Sequence, residues 1–479
     1  MTTVATPAYS FHTAIGGEDV RGEGVLPVHY PFTGEQIGEV PVLTRETVER
    51  ALDLAAASRP ALDRSARSQV LERVARAIAS EGEDLARLIT WESGLSLNDT
   101  RYEVRRAIDV FRFAAFEALR DDGEVYACDT SANGRARRAY TVREPVGLVA
   151  AITPFNHPLN QVAHKIAPAV AAGAPIVVKP SEKTPLAALW LGRALLEAGW
   201  PADALAVVTG DRSEILDAML SHPAVEVVSF TGGVEVGRTI AARLGYRRAV
   251  LELGGNDPLL VLRDADVETA ASLAVAGATK NSGQRCTAVK RVVVEETIAD
   301  ELADRVAELT AELKVGDPFD EETDVGTLID EEAAALVETR VLEAVEEGAR
   351  LRFGGARCSA QIVPPVVDHV PPDAELVREE TFGPAVPLVR VSDLDEAIEV
   401  ANGTAYGLSS GVVSNDLAAI TRCIRELRCG TVNVNEMPGY RTELTPFGGI
   451  KASGLGVKEG IVEAIRGLTT VKLYTLPWP

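Results

Sequence analysis

The spacing of apolar residues changes along the chain, and each change marks a different kind of structure. From Thr44 to Leu119 apolar side chains recur every three or four positions, which is the spacing of amphipathic helices. From Pro145 to Leu253 short apolar runs alternate with helical segments. Strands that alternate with helices predict parallel βαβ units in a doubly wound sheet. Residues 258–430 repeat this alternation, so the pattern predicts a second α/β domain.

The individual elements follow from these patterns. In the first alternating region the predicted strands are Gly147–Ile152, Pro175–Pro180, Ala204–Val208, Val225–Phe230 and Ala249–Leu253. In the second they are Leu259–Leu262, Arg291–Glu295, Ala385–Arg390 and Ser409–Val413.

Two further segments have a different character. Residues 123–143 read as two strands around Asn133-Gly134, a dipeptide that favours tight hairpins. Residues 469–476 alternate like a terminal strand that either borders a sheet or joins a partner's sheet. Both segments are interpreted as an assembly arm.

Composition narrows the possible partners and the compartment. The 479 residues include 48 Lys and Arg against 70 Asp and Glu, a net charge of −22, which argues against nucleic acid and anionic membranes. The five cysteines form no CxxC pair, so we expect neither a metal site nor a disulfide framework. With no signal-like start and no long apolar run, the expected location is the cytoplasm.

One cysteine lies in a strongly cationic stretch. Arg285, Lys290 and Arg291 surround Cys286, and neighbouring positive charge stabilises the nucleophilic thiolate. A lone cysteine is more often an inert buried thiol, so this stretch alone leaves both interpretations open.

Four polar or glycine-containing segments follow predicted strands, where doubly wound folds bind ligands. They are Thr153–Pro158, Lys179–Glu182, Phe230–Gly237 and Glu252–Asn256. The glycines at 232–237 do not fill a dinucleotide-binding fingerprint, but a strand-to-helix turn there can hold a pyrophosphate on helix N–H groups.

Together with Gly283–Cys286, Glu379–Pro384 and Pro446–Gly454, these segments make the chain resemble the NAD(P)-dependent aldehyde dehydrogenase superfamily over essentially its full length. The resemblance implies a cofactor domain at 1–123 and 144–253, a catalytic domain at 254–457, and an oligomerisation arm at 124–143 and 458–479. A homodimer or homotetramer is therefore expected.

The resemblance also implies catalytic roles. Cys286 would attack the aldehyde carbon, and Asn156 with the Cys286 backbone N–H would hold the oxyanion. Glu252 would activate the water that hydrolyses the thioester. Arg285 then suits a substrate anion better than it suits lowering the thiol pKa, and the orientation of Lys290 stays open.

The implied cofactor contacts surround the same segments. Glu182 favours NAD, because a carboxylate suits free ribose hydroxyls and repels a 2′-phosphate. The residues expected to contact the cofactor are Thr153, Phe155, Lys179, Ser181, Glu182, Phe230, Thr231, Gly232, Gly233, Glu380 and Phe382.

Polar residues occupy positions where relatives that oxidise apolar aldehydes carry apolar side chains. The expected substrate-binding residues are Arg106, His157, Asn160, His164, Arg285, Thr287 and Arg441. Arginine forks match phosphonate, phosphate and carboxylate oxygens, so we expect a short anionic aldehyde.

The stretch around Cys286 is similar to those of phosphonoacetaldehyde dehydrogenases and non-phosphorylating glyceraldehyde-3-phosphate dehydrogenases. We favour oxidation of phosphonoacetaldehyde to phosphonoacetate. Glyceraldehyde 3-phosphate, lactaldehyde and succinate semialdehyde are alternatives. A catalytically silent structural relative is disfavoured by the joint presence of Cys286, Glu252 and Asn156, and transfer to coenzyme A is disfavoured by Glu252.

Overall fold

The computed structural model describes residues 6–457 and 459–478, so residues 1–5, Lys458 and Pro479, which the predicted domain boundaries include, lie outside the described residues. The first elements are β1 (Tyr9–Ser10), β2 (Thr13–Ile15), β3 (Glu18–Val20), β4 (Gly24–His29), β5 (Gln36–Val42), α1 (Arg45–Ala57), α2 (Arg64–Ser80), α3 (Gly82–Ser93), α4 (Leu97–Ala118), β6 (Val125–Ala127) and β7 (Arg137–Pro145).

The helices of this first region begin where the sequence offers capping side chains. Thr44 accepts the Thr47 N–H at the start of α1, and Asp63 accepts the Ala66 N–H at the start of α2. Such caps satisfy N–H groups that have no partner within the helix. The apolar faces of α2 and α4 pack together in one core with the following region.

The next region forms a parallel sheet whose strand ends position the site. It contains β8 (Val149–Ile152), α5 (Asn160–Ala172), β9 (Ile176–Lys179), α6 (Leu186–Glu197), β10 (Leu205–Val207), α7 (Arg212–Ser221), β11 (Val227–Thr231), α8 (Val234–Arg243) and β12 (Arg248–Glu252). The strand order is β10-β9-β8-β11-β12, and all pairs are parallel. The predicted doubly wound sheet is confirmed.

A second sheet follows, with the order β15-β18-β19-β14-β13-β20-β21. Its region contains β13 (Asp257–Val261), α9 (Val267–Thr279), β14 (Val289–Glu295), α10 (Glu296–Ala311), α11 (Glu331–Glu346), β15 (Arg350–Phe353), β16 (Arg357–Cys358), β17 (Gln361–Ile362), β18 (Val366–Asp368), α12 (Glu375–Arg378), β19 (Val386–Val391), α13 (Leu394–Asn402), β20 (Ser409–Val413), α14 (Leu417–Glu426) and β21 (Thr431–Val434). The chain ends with α15 (Ile461–Gly467) and β22 (Thr469–Pro477). The two-domain α/β fold class is confirmed.

The arm is a three-stranded sheet with the order β22-β7-β6. The hairpin exists, but the prediction of a tight Asn-Gly connection is wrong. Residues 128–136 join the two strands, and the Gly134 N–H donates to Ser131 O at 2.8 Å in a turn inside that longer loop. The carboxy-terminal strand β22 pairs with β7 along its whole length.

Several short strands escaped the sequence patterns. Strands β15, β16, β17 and β21 carry polar residues at many positions, so no apolar run marks them, and β18 is only three residues long.

Among the described residues, every helix is too short or too polar to cross a bilayer. The same residues contain no cluster of His, Cys, Asp or Glu that could hold a metal ion.

Candidate active site

The candidate nucleophile lies on a tight loop between α9 and β14. Asn281, Ser282 and Gly283, just before Cys286, have left-handed backbones with φ of 61°, 51° and 69°. This conformation is unfavourable for most residues and must be held by the surroundings. Asp99 on α4 supplies part of that support, because its Oδ2 accepts the Asn281 N–H at 2.8 Å.

Glycine is required where this loop meets the neighbouring one. A Cβ atom on Gly283 would lie 2.2 Å from the backbone of Gly383. The Cys286 loop and the loop that carries Glu380 and Phe382 therefore touch through their backbones, and no side chain fits between them.

Lys290 connects the Cys286 loop and the Glu380 loop through hydrogen bonds behind the candidate nucleophile. Its buried ammonium donates to the carbonyl oxygens of Gly255, Arg285 and Cys286, each at 2.8 Å, and to Glu380 Oε1 at 3.0 Å. An ammonium group has three N–H donors, and this one is surrounded by four acceptors. Lys290 therefore faces the backbone behind the nucleophile and not an open pocket.

The surroundings of Cys286 oppose ionisation of its thiol. Burial raises the pKa of its thiol to about 11, with Glu380 and Asp257 adding to the shift and Lys290 and Arg441 opposing it. The charges of the cationic stretch therefore do not by themselves bring the pKa of this thiol below its usual value. Desolvation outweighs the nearby ammonium group.

Arg291 contributes to packing and not to thiol chemistry. It is fully buried and donates to Asn256 O at 3.0 and 2.8 Å. It also donates to Val400 O and Ala401 O, at 2.8 and 3.0 Å, at the carboxyl end of α13. A cation satisfies the free carbonyl groups that every helix leaves at that end.

Asn156 is oriented by the same loop. Its Nδ2 donates to Gln284 O at 2.8 Å, and its backbone carbonyl accepts from Asn281 Nδ2 at 3.0 Å. A carboxamide nitrogen carries two N–H donors, so a second donor remains for a substrate oxygen.

Glu252 ends strand β12 and is buried. Its carboxylate lies against Gly448, where a Cβ atom would be 2.6 Å from Oε1 and where φ is 149°. Glu252, Asn156 and Cys286 line one cleft. The structure thus brings together the three predicted catalytic residues.

This cleft has a volume of about 670 Å³, which suits a large organic cofactor. Helix α8 begins at its wall without a side-chain cap, and a Cβ atom on Gly233 would meet nothing within 4 Å. Uncapped N–H groups at an open helix start fit a pyrophosphate. The predicted cofactor residues on the wall are Phe155, Thr231, Gly232, Gly233, Glu380 and Phe382.

The remaining predicted cofactor residues lie beside or beneath this cleft. Lys179 Nζ and Glu182 Oε2 are 2.9 Å apart at the end of β9. Burial opposes ionisation of Glu182, yet the Lys179 ammonium holds the pKa of that carboxyl below its usual value. Ser181 Oγ accepts the Lys183 N–H at 3.2 Å. Thr153 and Phe230 are buried, and the Phe230 ring lies under Gly232.

A second, narrower pocket of about 20 Å³ contains most of the predicted substrate residues. We call it the head-group pocket, and its wall consists of Asp99, Tyr102, Arg106, His157, Lys280, Asn281, Arg285, Gly439 and Arg441. The structure therefore gathers Arg106, His157, Arg285 and Arg441, from four separate parts of the chain, into one place.

Three predicted substrate residues do not line either pocket. Asn160 is fully buried at the start of α5, where its N–H donates to Glu103 Oε1 at 2.9 Å. His164, one turn further on, is buried and faces Glu443. Thr287 lies behind Gly439, where a Cβ atom would be 2.9 Å from the threonine hydroxyl.

Sequence reasoning missed Glu443, the acidic partner of these cations. Its Oε1 accepts from Arg106 Nε at 2.5 Å, and its Oε2 lies 2.6 Å from His164 Nε2 and 3.7 Å from Arg441 Nη2. Burial disfavours its charge, but Arg106, His164 and Arg441 together hold the pKa of Glu443 far below its usual range. Buried cations are commonly paired with an anion, and this tendency could have prompted a search for an acidic residue.

Tyr102 and Asp99 could also have been found in the sequence. They precede Arg106 by four and seven residues on α4, which places the three side chains on one helix face. Lys280 Nζ lies 3.4 Å from the centre of the Tyr102 ring and completes that wall.

The position of Lys290 yields a testable prediction about the thiol. Alkylation of Cys286 by iodoacetamide, without cofactor, should accelerate with pH up to about 11, because the thiolate is the reacting form. Replacing Lys290 with Met removes the nearest stabilising charge and should slow alkylation at pH 8.5 roughly tenfold.

Lys280→Met serves as the control, because that ammonium lies over the Tyr102 ring and not against the Cys286 carbonyl. Faster alkylation of Lys290→Met would contradict the prediction, since it would mean that the ammonium only keeps the loop closed.

Comparison with known proteins agrees with this geometry. Residues 19–474 match the model of the aldehyde dehydrogenase family. The chain is 38% identical over 478 residues to a 3-sulfolactaldehyde dehydrogenase of Priestia aryabhattai, covering 99% of both chains. It is 37% identical to a sulfoacetaldehyde dehydrogenase of Neptuniibacter caesariensis, covering 93% of this chain and 98% of that one.

Among solved structures, an NADP-dependent glyceraldehyde-3-phosphate dehydrogenase from Bacillus halodurans C-125, complexed with NADP, superimposes with a TM-score of 0.96 at 35% identity. That match covers 98% of this chain and 100% of the other. With the nucleophile, amide and carboxylate in one cleft, these matches establish that the chain belongs to the aldehyde dehydrogenase family.

Proposed function

We propose that this aldehyde dehydrogenase oxidises a short aldehyde with an anionic head group to the corresponding carboxylate, with NAD as the oxidant. The proposal rests on an unsatisfied hydrogen-bond donor of Arg285. Its buried Nη1 has no hydrogen-bond partner among the described residues, and Nη2 reaches only Gly439 O at 3.4 Å. An unused guanidinium donor facing a pocket is costly unless a ligand oxygen satisfies it.

The chemistry follows from the residues at the cleft. Cys286 Sγ attacks the aldehyde carbon as the thiol proton passes to solvent, and the new oxyanion accepts from the second Asn156 N–H and the Cys286 N–H. NAD bound in the cleft would supply the acceptor for the hydride of this carbon. Glu252 takes a proton from the water that attacks the resulting thioester, which releases the carboxylate and restores the thiol.

Phosphonoacetaldehyde is the first candidate substrate. A phosphonate presents three oxygens to the head-group pocket, where Arg106, Arg285 and Arg441 supply forked donors. The sulfonated substrates named for two relatives make sulfoacetaldehyde and 3-sulfolactaldehyde a second candidate class, because a sulfonate has the same shape and one charge fewer. Glyceraldehyde 3-phosphate, succinate semialdehyde and lactaldehyde remain alternatives.

A panel of these aldehydes tests the proposal. We expect the highest kcat/KM for an aldehyde with an anionic head, and we expect Arg285→Met to lower that value roughly 100-fold, as loss of a buried charged contact does. With lactaldehyde, which has no charge, the kcat/KM of Arg285→Met should fall less than about threefold. NADH formation measures the rate.

Preference for lactaldehyde over every charged aldehyde would contradict the anionic substrate. Identification of the product separates hydrolysis from acyl transfer, because added coenzyme A should not change the yield of free carboxylate. Cys286→Ser should abolish turnover with any aldehyde, and retained NADH formation would refute the assigned nucleophile.

The preference for NAD rests on Glu182. Its carboxylate, held beside Lys179 at the end of β9, would repel the 2′-phosphate of NADP. We expect a higher kcat/KM with NAD, and Glu182→Gln should shift the ratio toward NADP roughly tenfold. Glu197→Gln, an equal charge change on the exposed face of α6 where Glu197 pairs with Arg193, should leave it unchanged. An unshifted ratio in Glu182→Gln would remove this carboxylate from cofactor selection.

We also propose that the arm joins copies of the chain into a homodimer or homotetramer. Strand β22 borders its sheet and exposes Val471, Leu473, Tyr474 and Leu476, and an open apolar edge favours pairing. Light scattering should report a multiple of 50.9 kDa. Leu473→Asp should shift the mass toward the monomer, and a monomeric parent protein would contradict the proposal.

A further inference from the structure

The carboxylate of Glu443 contacts two of the arginines that line the head-group pocket, Arg106 and Arg441, without lining the pocket itself. It is 5% exposed, and its backbone carbonyl accepts the Ile461 N–H at 3.2 Å, which fixes the segment that carries it. Its two oxygens face Arg106, His164 and Arg441. The Glu443 carboxylate is therefore a fixed part of the cluster of cations to which the proposed function assigns the substrate's head group.

The three arginines of the pocket differ in whether a carboxylate already neutralises part of their charge. Arg106 and Arg441 already have a carboxylate partner, at 2.5 and 3.7 Å. Arg285 has none within salt-bridge distance among the described residues, and its Nη1 lacks a hydrogen bond there. A substrate anion thus finds one uncompensated guanidinium and two whose charge is shared.

The other charges near the pocket have different partners. Asp99 accepts from Asn281 N–H and Ser96. Glu103 accepts the Leu159 and Asn160 N–H groups at the start of α5. Lys165 pairs with Glu459 in the interior. None of these three carboxylates bonds to Arg106 or Arg441 among the described residues.

The histidines contribute little charge. Burial lowers the pKa of His157 and of His164, although Glu103 and Glu443 respectively oppose the shift. The charge on the pocket wall therefore comes from four cations, Arg106, Arg285, Arg441 and Lys280, and from Asp99. With Glu443 behind them, the positive charges exceed the negative ones by two.

We infer that Glu443 determines which head-group charge this pocket selects, an inference that rests on the proposed anionic substrate. The energy of a ligand in the field of the pocket scales with the ligand's own charge. One fewer carboxylate would therefore favour a dianion over a monoanion of the same shape. The negative charge of Glu443 therefore limits the preference for a dianion, so that aldehydes with a monoanionic head group also bind.

The test compares two aldehydes that differ only in the charge of the head. At pH 8 phosphonoacetaldehyde carries a dianionic phosphonate and sulfoacetaldehyde a monoanionic sulfonate. For Glu443→Gln we expect the kcat/KM ratio of the phosphonate to the sulfonate to rise roughly tenfold above the wild-type ratio. Because both rates come from one preparation, a partly unfolded sample does not alter their ratio.

Matched variants separate charge from structure. Glu443→Asp keeps the charge and should leave the ratio within about twofold of wild type. Glu436→Gln removes a carboxylate from the same segment, where Glu436 Oε1 accepts the Met437 N–H at 2.8 Å, and should also leave the ratio unchanged. A rise in either variant that equals the rise in Glu443→Gln would overturn the inference.

A further pair of variants keeps the test valid if Glu443→Gln does not fold. Arg106→Met removes one cation, and Arg106→Met/Glu443→Gln then removes the carboxylate from an already reduced cluster. The ratio should be higher in the double variant than in Arg106→Met. Equal ratios would overturn the inference.

Failure of the inference can be told apart from failure of the proposed function. A wild-type enzyme that prefers lactaldehyde to both charged aldehydes would overturn the proposed function, and this inference with it. A wild-type enzyme that prefers charged aldehydes, with a ratio that Glu443→Gln does not move, would overturn the inference alone.

Discussion

The buried ammonium of Lys290 holds the catalytic loops in register. It contacts the Cys286 carbonyl and the Glu380 carboxylate at once, so the nucleophile and the adjoining wall of the cleft share one fixed point. Three uncharged acceptors and one carboxylate around an ammonium satisfy it without open water. Together with the Asp99 carboxylate, which accepts the Asn281 N–H, these contacts support the left-handed backbone of Asn281 and the close backbone contact at Gly283.

Most of the fold could be predicted because its strands are buried on both faces. Strands such as Ile176–Lys179 and Val227–Thr231 are mostly apolar and are buried at every position, as expected of a parallel sheet that is covered on both faces. Strands β15, β16, β17 and β21 were missed because they are short, carry polar residues and depend on pairing with a neighbouring strand. The hairpin was predicted, but the loop between β6 and β7 is set by nine residues and not by Asn133-Gly134 alone.

The candidate catalytic residues could be predicted because each one lies in a recognisable sequence motif. Cys286, Glu252 and Asn156 follow strands or loops whose order along the chain is distinctive. The pairing of Glu443 with Arg106 joins residues 337 positions apart, and no local pattern encodes such a contact. Likewise the direction of Lys290 depends on carbonyl groups of other loops. Packing decided these features, so only the folded structure could reveal them.

Because the head-group pocket is enclosed, its positive charge acts on an anionic ligand only at short range. The chain carries a net charge of −22, whereas the cations of the head-group pocket are largely buried, with Arg106 and Arg441 exposing 17% and 13% of their side chains. An approaching anion therefore meets a repulsive field first and the attractive one only at close range. Moderate salt screens the long-range repulsion more than the enclosed contacts. Capture of an anionic aldehyde would then become faster with added salt, the reverse of electrostatic steering.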